Sequence, residues 1–491
     1  MRIRSTRPLV FTTALCTSFC TALCTTACQA PSRSREALLD PQTCEECHPK
    51  HYREWQGSMH AYASDDPYFR AMNRWGQVAT GGALGDFCVR CHAPMALEEG
   101  ETQDGLNLDE VPAHLRGVTC YYCHTVTAIK GTHNNQLVRT DDVIMRGSLL
   151  HPAETESHRS AHSPLHDGRD LCSSSLCGSC HDVITPSGVP LERSFVEWND
   201  SFYSHQNPSQ TGPALYSQRC NSCHMPGSDD AIADAEGALP NRRRHDHSMP
   251  GPGVVVTAFP DHPEAEQIRR EHMLATEAFR RAALCGTICV KPLPSAAPDG
   301  PDTVAMTVWL HNESAGHSWP SGAAQNRRAW VELVAYSGQE VAYANGHIAD
   351  DMAVGTHDDD SLWWFGDRVF DAMGQRVHAH WQITRYEPGS LPVGTRIGGD
   401  AETWIPRTYT YAGALPDRVE LRMKLRPMPR DLLDDLVLRG YLDAAAASAM
   451  PTFDIAGVHL DWTDATAEVT EAAGSCVSSS PSCRAPVLWG K

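Results

Sequence analysis

Past its first 27 residues the chain has no apolar run that approaches the roughly 20 residues a membrane-spanning helix needs. It lacks HExxH, GxSxG and any Gly-rich phosphate loop, which excludes the hydrolytic and nucleotide-binding machineries that carry those signatures. Basic residues are scarce: 41 Lys and Arg stand against 60 Asp and Glu, a formal charge of −19. Phosphate backbones need a basic face, so no nucleic acid is expected as a partner. No repeat of fixed length occurs, and residues 41–295 show little of the alternation that marks strands.

Cysteine and histidine, by contrast, are abundant, at 19 and 25 residues. Five Cys-x-x-Cys-His motifs lie in the first half: Cys44–Cys47–His48, Cys88–Cys91–His92, Cys120–Cys123–His124, Cys177–Cys180–His181 and Cys220–Cys223–His224. Each is the attachment signature of a c-type haem. Two cysteines at this spacing reach the two vinyl groups as thioethers, and the next residue becomes the proximal iron ligand. Half a zinc site or a redox dithiol would not need His directly after every pair. Five covalent haems are therefore expected. A low-spin haem needs a second axial ligand, and 20 of the 25 His remain as candidates.

The N-terminus reads as a targeting segment. Arg2, Arg4 and Arg7 precede a stretch of small and apolar residues that ends at Thr26-Ala27-Cys28. Leu23 to Cys28 is similar to a bacterial lipobox, with Thr25 where that pattern has Leu. The expectation is a signal peptide over 1–27 and a lipid anchor on Cys28, holding the protein to a membrane. No Arg-Arg pair occurs in this segment, which points away from twin-arginine export. Export agrees with haem attachment, and places the protein in the periplasm or at the outer membrane or cell surface. It also permits disulfides among the five cysteines left over, Cys172, Cys285, Cys289, Cys476 and Cys483. Local pairs Cys285/Cys289 and Cys476/Cys483 would leave Cys172 single, although sequence does not fix the connectivity.

Residues 28–40 read as a polar tether and 41–295 as a domain that holds all five motifs, with short helices over 49–59 and a longer one over 263–284 that Gly286 would end. The Pro- and Ala-rich tract 292–302 reads as a linker. Strand patterns then appear at 303–310, 329–336, 376–385, 408–412, 418–425 and 453–469, interrupted by a helical stretch over 429–450. The fold class expected is α+β and multidomain: a mostly irregular, short-helical multihaem domain, then a β-sandwich-like domain over 303–472 and a tail over 473–491. His378 and His380 fall on one face of the strand at 376–385, where a surface strand is the plainer reading than a metal pair.

Cys44 to His48, with His51, Tyr52, Trp55, Ser58, His60 and Ala61 behind it, resembles the start of the cytochrome c-554-like multihaem cytochromes. The segments Gly117 to His124, Phe195 to Ser201 leading into Cys220 to Pro226, and His245 to Gly251 resemble later elements of that family. Asn312 to Gly322, with its Gly316-His317-Ser318-Trp319-Pro320-Ser321-Gly322 core, resembles the element that opens the family's β-domain. This resemblance spans roughly residues 41–470 and implies His60, His247 and His317 as distal ligands. His245 competes with His247. Of His158 and His162, which precede the fourth motif, His162 is preferred, and His133 stays possible.

The function expected is electron transfer through five haems, in a respiratory or extracellular chain. The partners would be other redox proteins or a membrane quinol or electron-transfer complex. The alternative is an oxidoreductase acting on a small nitrogen or sulfur species at a haem with an open axial position. Pentahaem nitrite reductases carry one attachment motif that ends in Lys, and none occurs in this chain.

Overall fold

The computed structural model describes residues 33–486 except 153–156, 205–216, 236–237, 239–241, 295–301, 356–359, 395–402 and 471. Cys28 and the signal segment lie outside the described residues. Short helices and many strands in several sheets make the chain α+β and multidomain. Among the described residues no helix is long and apolar enough to cross a membrane.

The first half is built mostly from one- and two-turn helices and two-stranded sheets joined by irregular chain, with a longer helix, Pro67–Thr80. Gly57 and Ser58 divide the helix expected over 49–59 into Pro49–Gln56 and Met59–Tyr62. Ser58 caps the second piece by accepting from Ala61 N. A Cβ on Gly57 would lie 3.0 Å from Ile268 Cγ2, so the break is where the long helix Ala265–Ala282 lies close. The polar tether is shorter than expected. Arg35–Leu39 is helical, Leu38 and Leu39 are buried against Val89, Met95 and Tyr121, and Arg35 pairs with Glu99. Two leucines with a core to enter overrode the polar composition around them.

The second half is a two-layered sandwich. One sheet runs in the order Ile405–Ala412, Thr303–Asn312, Leu284–Leu293, Gly474–Ser478, Glu468–Thr470. The other runs Glu340–Asn345, Arg328–Ser337, Arg418–Arg426, Phe453–Trp462, with Trp364–Phe365 paired to the second of these. All the pairings are antiparallel. Residues two apart point to one face. Thus Val304, Met306, Val308 and Leu310 meet Val419, Leu421, Met423 and Leu425 in one buried layer, closed by Trp462.

Four expectations change here. The sandwich begins at Leu284, inside the stretch assigned to the haem domain, and includes Gly474–Ser478 from the presumed tail. The tract 292–302 therefore joins two paired strands, with Leu293 opposite Thr303, and is no interdomain linker. The local disulfides are replaced by Cys285–Cys483 and Cys289–Cys476, which close separations of 198 and 187 residues. Residues four apart on a strand stand about 13 Å apart, well beyond disulfide reach. Cys289 and Cys476 are instead direct partners across the sheet. Cys172 is unpaired and exposed.

The strand expected over 376–385 is mostly irregular, with a single turn at His380–Gln382 and a short strand Arg385–Glu387. Trp381 is drawn onto the helix Pro67–Thr80 of the first half, edge-on to Trp75 at 5.1 Å and against Gly76. His378 consequently binds Asp431 at 3.0 Å while His380 lies beside Gln325, so the two do not form a pair on one face. The helical stretch 429–450 is two helices, Arg430–Leu438 and Ala444–Ser448, separated at Gly440 with its φ of 73°. Leu432, Leu433 and Leu436 pack on Tyr68 and Ala71, so this insertion also docks the sandwich onto the first half.

Candidate metal centres

In a helical turn, residues three and four apart share a face. Cys120–His124 and Cys220–His224 are such turns, and in the other motifs the histidine N–H bonds back to the first cysteine carbonyl: His48 to Cys44 at 2.7 Å, His92 to Cys88 at 3.3 Å, His181 to Cys177 at 2.9 Å. Both thiols and the imidazole of a motif therefore present one edge.

Four of the five motif imidazoles are held in one manner. Nδ1 of His48 meets Ile232 O at 2.8 Å, His92 meets Ala63 O at 3.1 Å, His124 meets Arg146 O at 2.5 Å and His224 meets Pro250 O at 2.9 Å. A carbonyl only accepts, so Nδ1 must carry the proton and Nε2 keeps a free lone pair for a metal. His181 differs: its Nδ1 lies 3.4 Å from a carboxylate oxygen of Glu192.

Four of the motif rings face a second imidazole. Centroid separations are 6.1 Å for His48 and His158, 6.2 Å for His124 and His247, 6.4 Å for His224 and His317, and 5.9 Å for His181 and His60. A metal–imidazole bond is about 2.0 Å and the ring centroid lies roughly 1.1 Å beyond the nitrogen, so two trans imidazoles on one iron stand about 6.2 Å apart. The first three pairs are nearly parallel, at 32°, 23° and 18°, and the last is crossed at 76°. Thiols, tautomers and spacing together fit a c-type haem at these motifs. The ring against His92 is Phe69, parallel at 4.0 Å; among the described residues no imidazole stands about 6 Å from His92.

The facing histidines come from four different places, and the loops of three are visibly pinned. His247 N donates to Glu54 Oε2 at 3.0 Å, which also takes Arg244 at 2.7 Å, and His247 Nδ1 donates to His245 O. Ser318 N donates to Glu197 Oε2 at 3.2 Å, and His317 Nδ1 donates to Ser318 O at 2.8 Å. His60 O accepts from Val118 N at 2.8 Å, over Gly117, where a Cβ would sit 2.5 Å from Ala61 O and φ is 67°. Burial, with neighbouring imidazoles adding to it, pushes His60 and His247 down to about 3 and His224 to about 4. All three are thus neutral, the form a metal takes.

His60, His247 and His317 each face a motif histidine. His162 does not. Its Nε2 is 3.2 Å from Asp167, and the place opposite His48 belongs to His158. The strand Arg159–His162 turns the two imidazoles to different neighbours, which spacing to the nearest motif does not disclose. His133 bonds Gln136. His245 turns to Met225 O. His51, named only within the motif resemblance, proves central: it stands edge-on to His48 at 5.6 Å and to His247 at 4.9 Å. The motifs also adjoin one another. Cys44 lies near Cys120, Cys91 near Cys180 and Cys177 near Cys220. Glu54, Glu192 and Glu197 carry no sequence signal beyond their nearness to motif elements.

Residues 43–125, which hold the first three motifs, match the family model for cytochrome c554 and c-prime. That match and the five motifs support a multihaem c-type cytochrome with c-type haem as its cofactor. The fold of the chain is similar to that of a penta-heme cytochrome c552 from Thermochromatium tepidum, with a TM-score of 0.52 and 19% identity over 85% of this chain and 97% of that one. No curated protein matches the chain significantly.

Proposed function

We propose that the chain is an exported five-haem electron conduit in a respiratory or extracellular chain. The observation that carries it is the set of four imidazole pairs at 5.9–6.4 Å, each including one motif histidine. The imidazoles of His48 and His158, His124 and His247, His181 and His60, and His224 and His317 would hold four of the haem irons. The fifth haem sits on Cys88, Cys91 and His92. Haem supplies one-electron chemistry at iron, and the protein's part is to fix the axial rings, exclude water and grade the potentials. Cysteines of different motifs that lie near one another would bring haem edges close, which is what rapid transfer needs. A count of five also agrees with the T. tepidum cytochrome c552 of similar fold, itself a penta-heme protein. A lipid anchor on Cys28 would hold the protein at the periplasmic or outer-membrane surface, and redox proteins or a membrane quinol complex would be its partners.

A second reading is favoured at His92 alone, the motif histidine set against Phe69 and not against an imidazole. An open axial position there would let a small nitrogen or sulfur species bind iron. Low-temperature electron paramagnetic resonance (EPR) of the oxidised holoprotein, with optical spectra of the reduced protein under carbon monoxide, separates the readings. Four low-spin irons and one high-spin iron that binds carbon monoxide are expected. Wholly low-spin iron with no carbon monoxide band removes the second reading, and an intact mass with fewer than five haems removes the first.

A further inference from the structure

One motif is held differently from the rest, and it is the motif with two neighbours. Its Cys180 lies near Cys91 of the second motif and its Cys177 near Cys220 of the fifth. The haem on Cys177, Cys180 and His181 is thus a junction between two others. Its proximal imidazole has a carboxylate at Nδ1, where the other four have backbone carbonyls.

A short hairpin fixes this contact. Val183–Ile184 turns back through Gly188, with a φ of 84°, into Pro190–Glu192, and Val183 pairs with Glu192. Thr185 N donates to Val189 O at 2.9 Å and closes the turn. Asn134 grips the hairpin twice, donating to Ile184 O and accepting from Ile184 N, both at 2.9 Å. Leu191 is buried against Val369 and Ile383 of the second half. Glu192 is therefore placed by structure from both halves, with the buried Arg327 guanidinium nearby.

A carbonyl dipole only orients an imidazole. A full negative charge also draws the Nδ1 proton, gives the ring imidazolate character and makes it a stronger donor to iron. Ferric iron gains more from that than ferrous iron, so the reduction potential falls.

We propose that Glu192 is a tuning residue for the junction haem, lowering its potential relative to what a backbone acceptor would give. This rests on the five-haem reading above. A junction held low passes an electron on to either branch and does not retain it.

The test is a spectroelectrochemical titration of the full-length holoprotein, native and E192Q, with haem number from intact mass and spin state from EPR. In E192Q one of the five components is expected to rise by at least tenfold in its reduction equilibrium, about 59 mV for one electron. The other four are expected to stay in place, and one low-spin EPR signal should shift with the component that moves. With five haems retained, five superimposable components overturn the proposal. If E192Q assembles with fewer haems, E192D answers the same question. Its carboxylate is withdrawn by one methylene, so a smaller rise in one component upholds the role and an unchanged titration overturns it. A native protein with fewer than five haems is a separate result that fails the conduit reading before any variant is titrated.

Discussion

The two halves of the chain solve the problem of a core in opposite ways. The sandwich closes on its own residues: Ile288, Met306, Leu310, Val331, Leu421 and Trp462 are all fully buried in one cluster spanning both sheets. Among the described residues the haem-binding half has separate apolar patches, one around Val89, Met95 and Tyr121 and one where Tyr68 meets Leu433 of the second half. Its centre is lined by paired imidazoles and thiols. A porphyrin supplies there the apolar area that the polypeptide does not, so fold and cofactor are one requirement in that half and independent in the other.

The largest test of this contrast is to withhold haem. Protein made without haem attachment should lose protease resistance throughout residues 41–260, while the sandwich keeps its strand circular dichroism. A protected haem half without haem would refute the contrast.

Next in size is His317, the sandwich residue that faces His224. H317A should convert one haem to high spin, seen by EPR, and should raise protease cleavage between the halves. Unchanged spectra would remove His317 from the ligands.

The disulfides bear on the sandwich alone. C289S together with C476S should lower its unfolding free energy by about 2–4 kcal/mol, read by chemical denaturation, with the haem spectrum unaltered.

The smallest effect is electrostatic. Asp66, cap of the helix Pro67–Thr80, has its carboxyl pushed up to about 6 by burial. Its folded pKa lies above its unfolded value. Its contribution is therefore full below about pH 4 and is lost as pH rises through 6. D66N keeps the cap and should remove a slope on the order of 2–3 kcal/mol between pH 4 and 7 from the stability of the haem half. Parallel pH profiles for D66N and the native protein would contradict this.

Legibility in the sequence followed the range of each interaction. The five attachment motifs are complete within five residues apiece, so their chemistry is readable without a fold. Strands such as Thr303–Asn312 and Arg418–Arg426 announced themselves because alternation is local. The turn at His380–Gln382 did not, because Trp381 answers to Trp75, a partner remote in the chain. Nor did the disulfides, whose partners become neighbours only when Gly474–Ser478 pairs with Leu284–Leu293. Glu192 belongs with these: nothing in its own segment marks it, and only the hairpin that returns it to His181 gives it a role.

By itself the sequence determined the five Cys-x-x-Cys-His motifs, the histidine that ends each and the β character of the second half, since all three rest on residues close together in the chain. Only the tertiary structure decided which imidazole faces which motif, putting His158 and not His162 opposite His48. It likewise decided that His92 has Phe69 beside it, and that one proximal histidine has a carboxylate at its back. The reason is physical. A covalent motif needs only the reach of one helical turn, whereas a second axial ligand needs two remote segments brought to about 6 Å by everything folded between them.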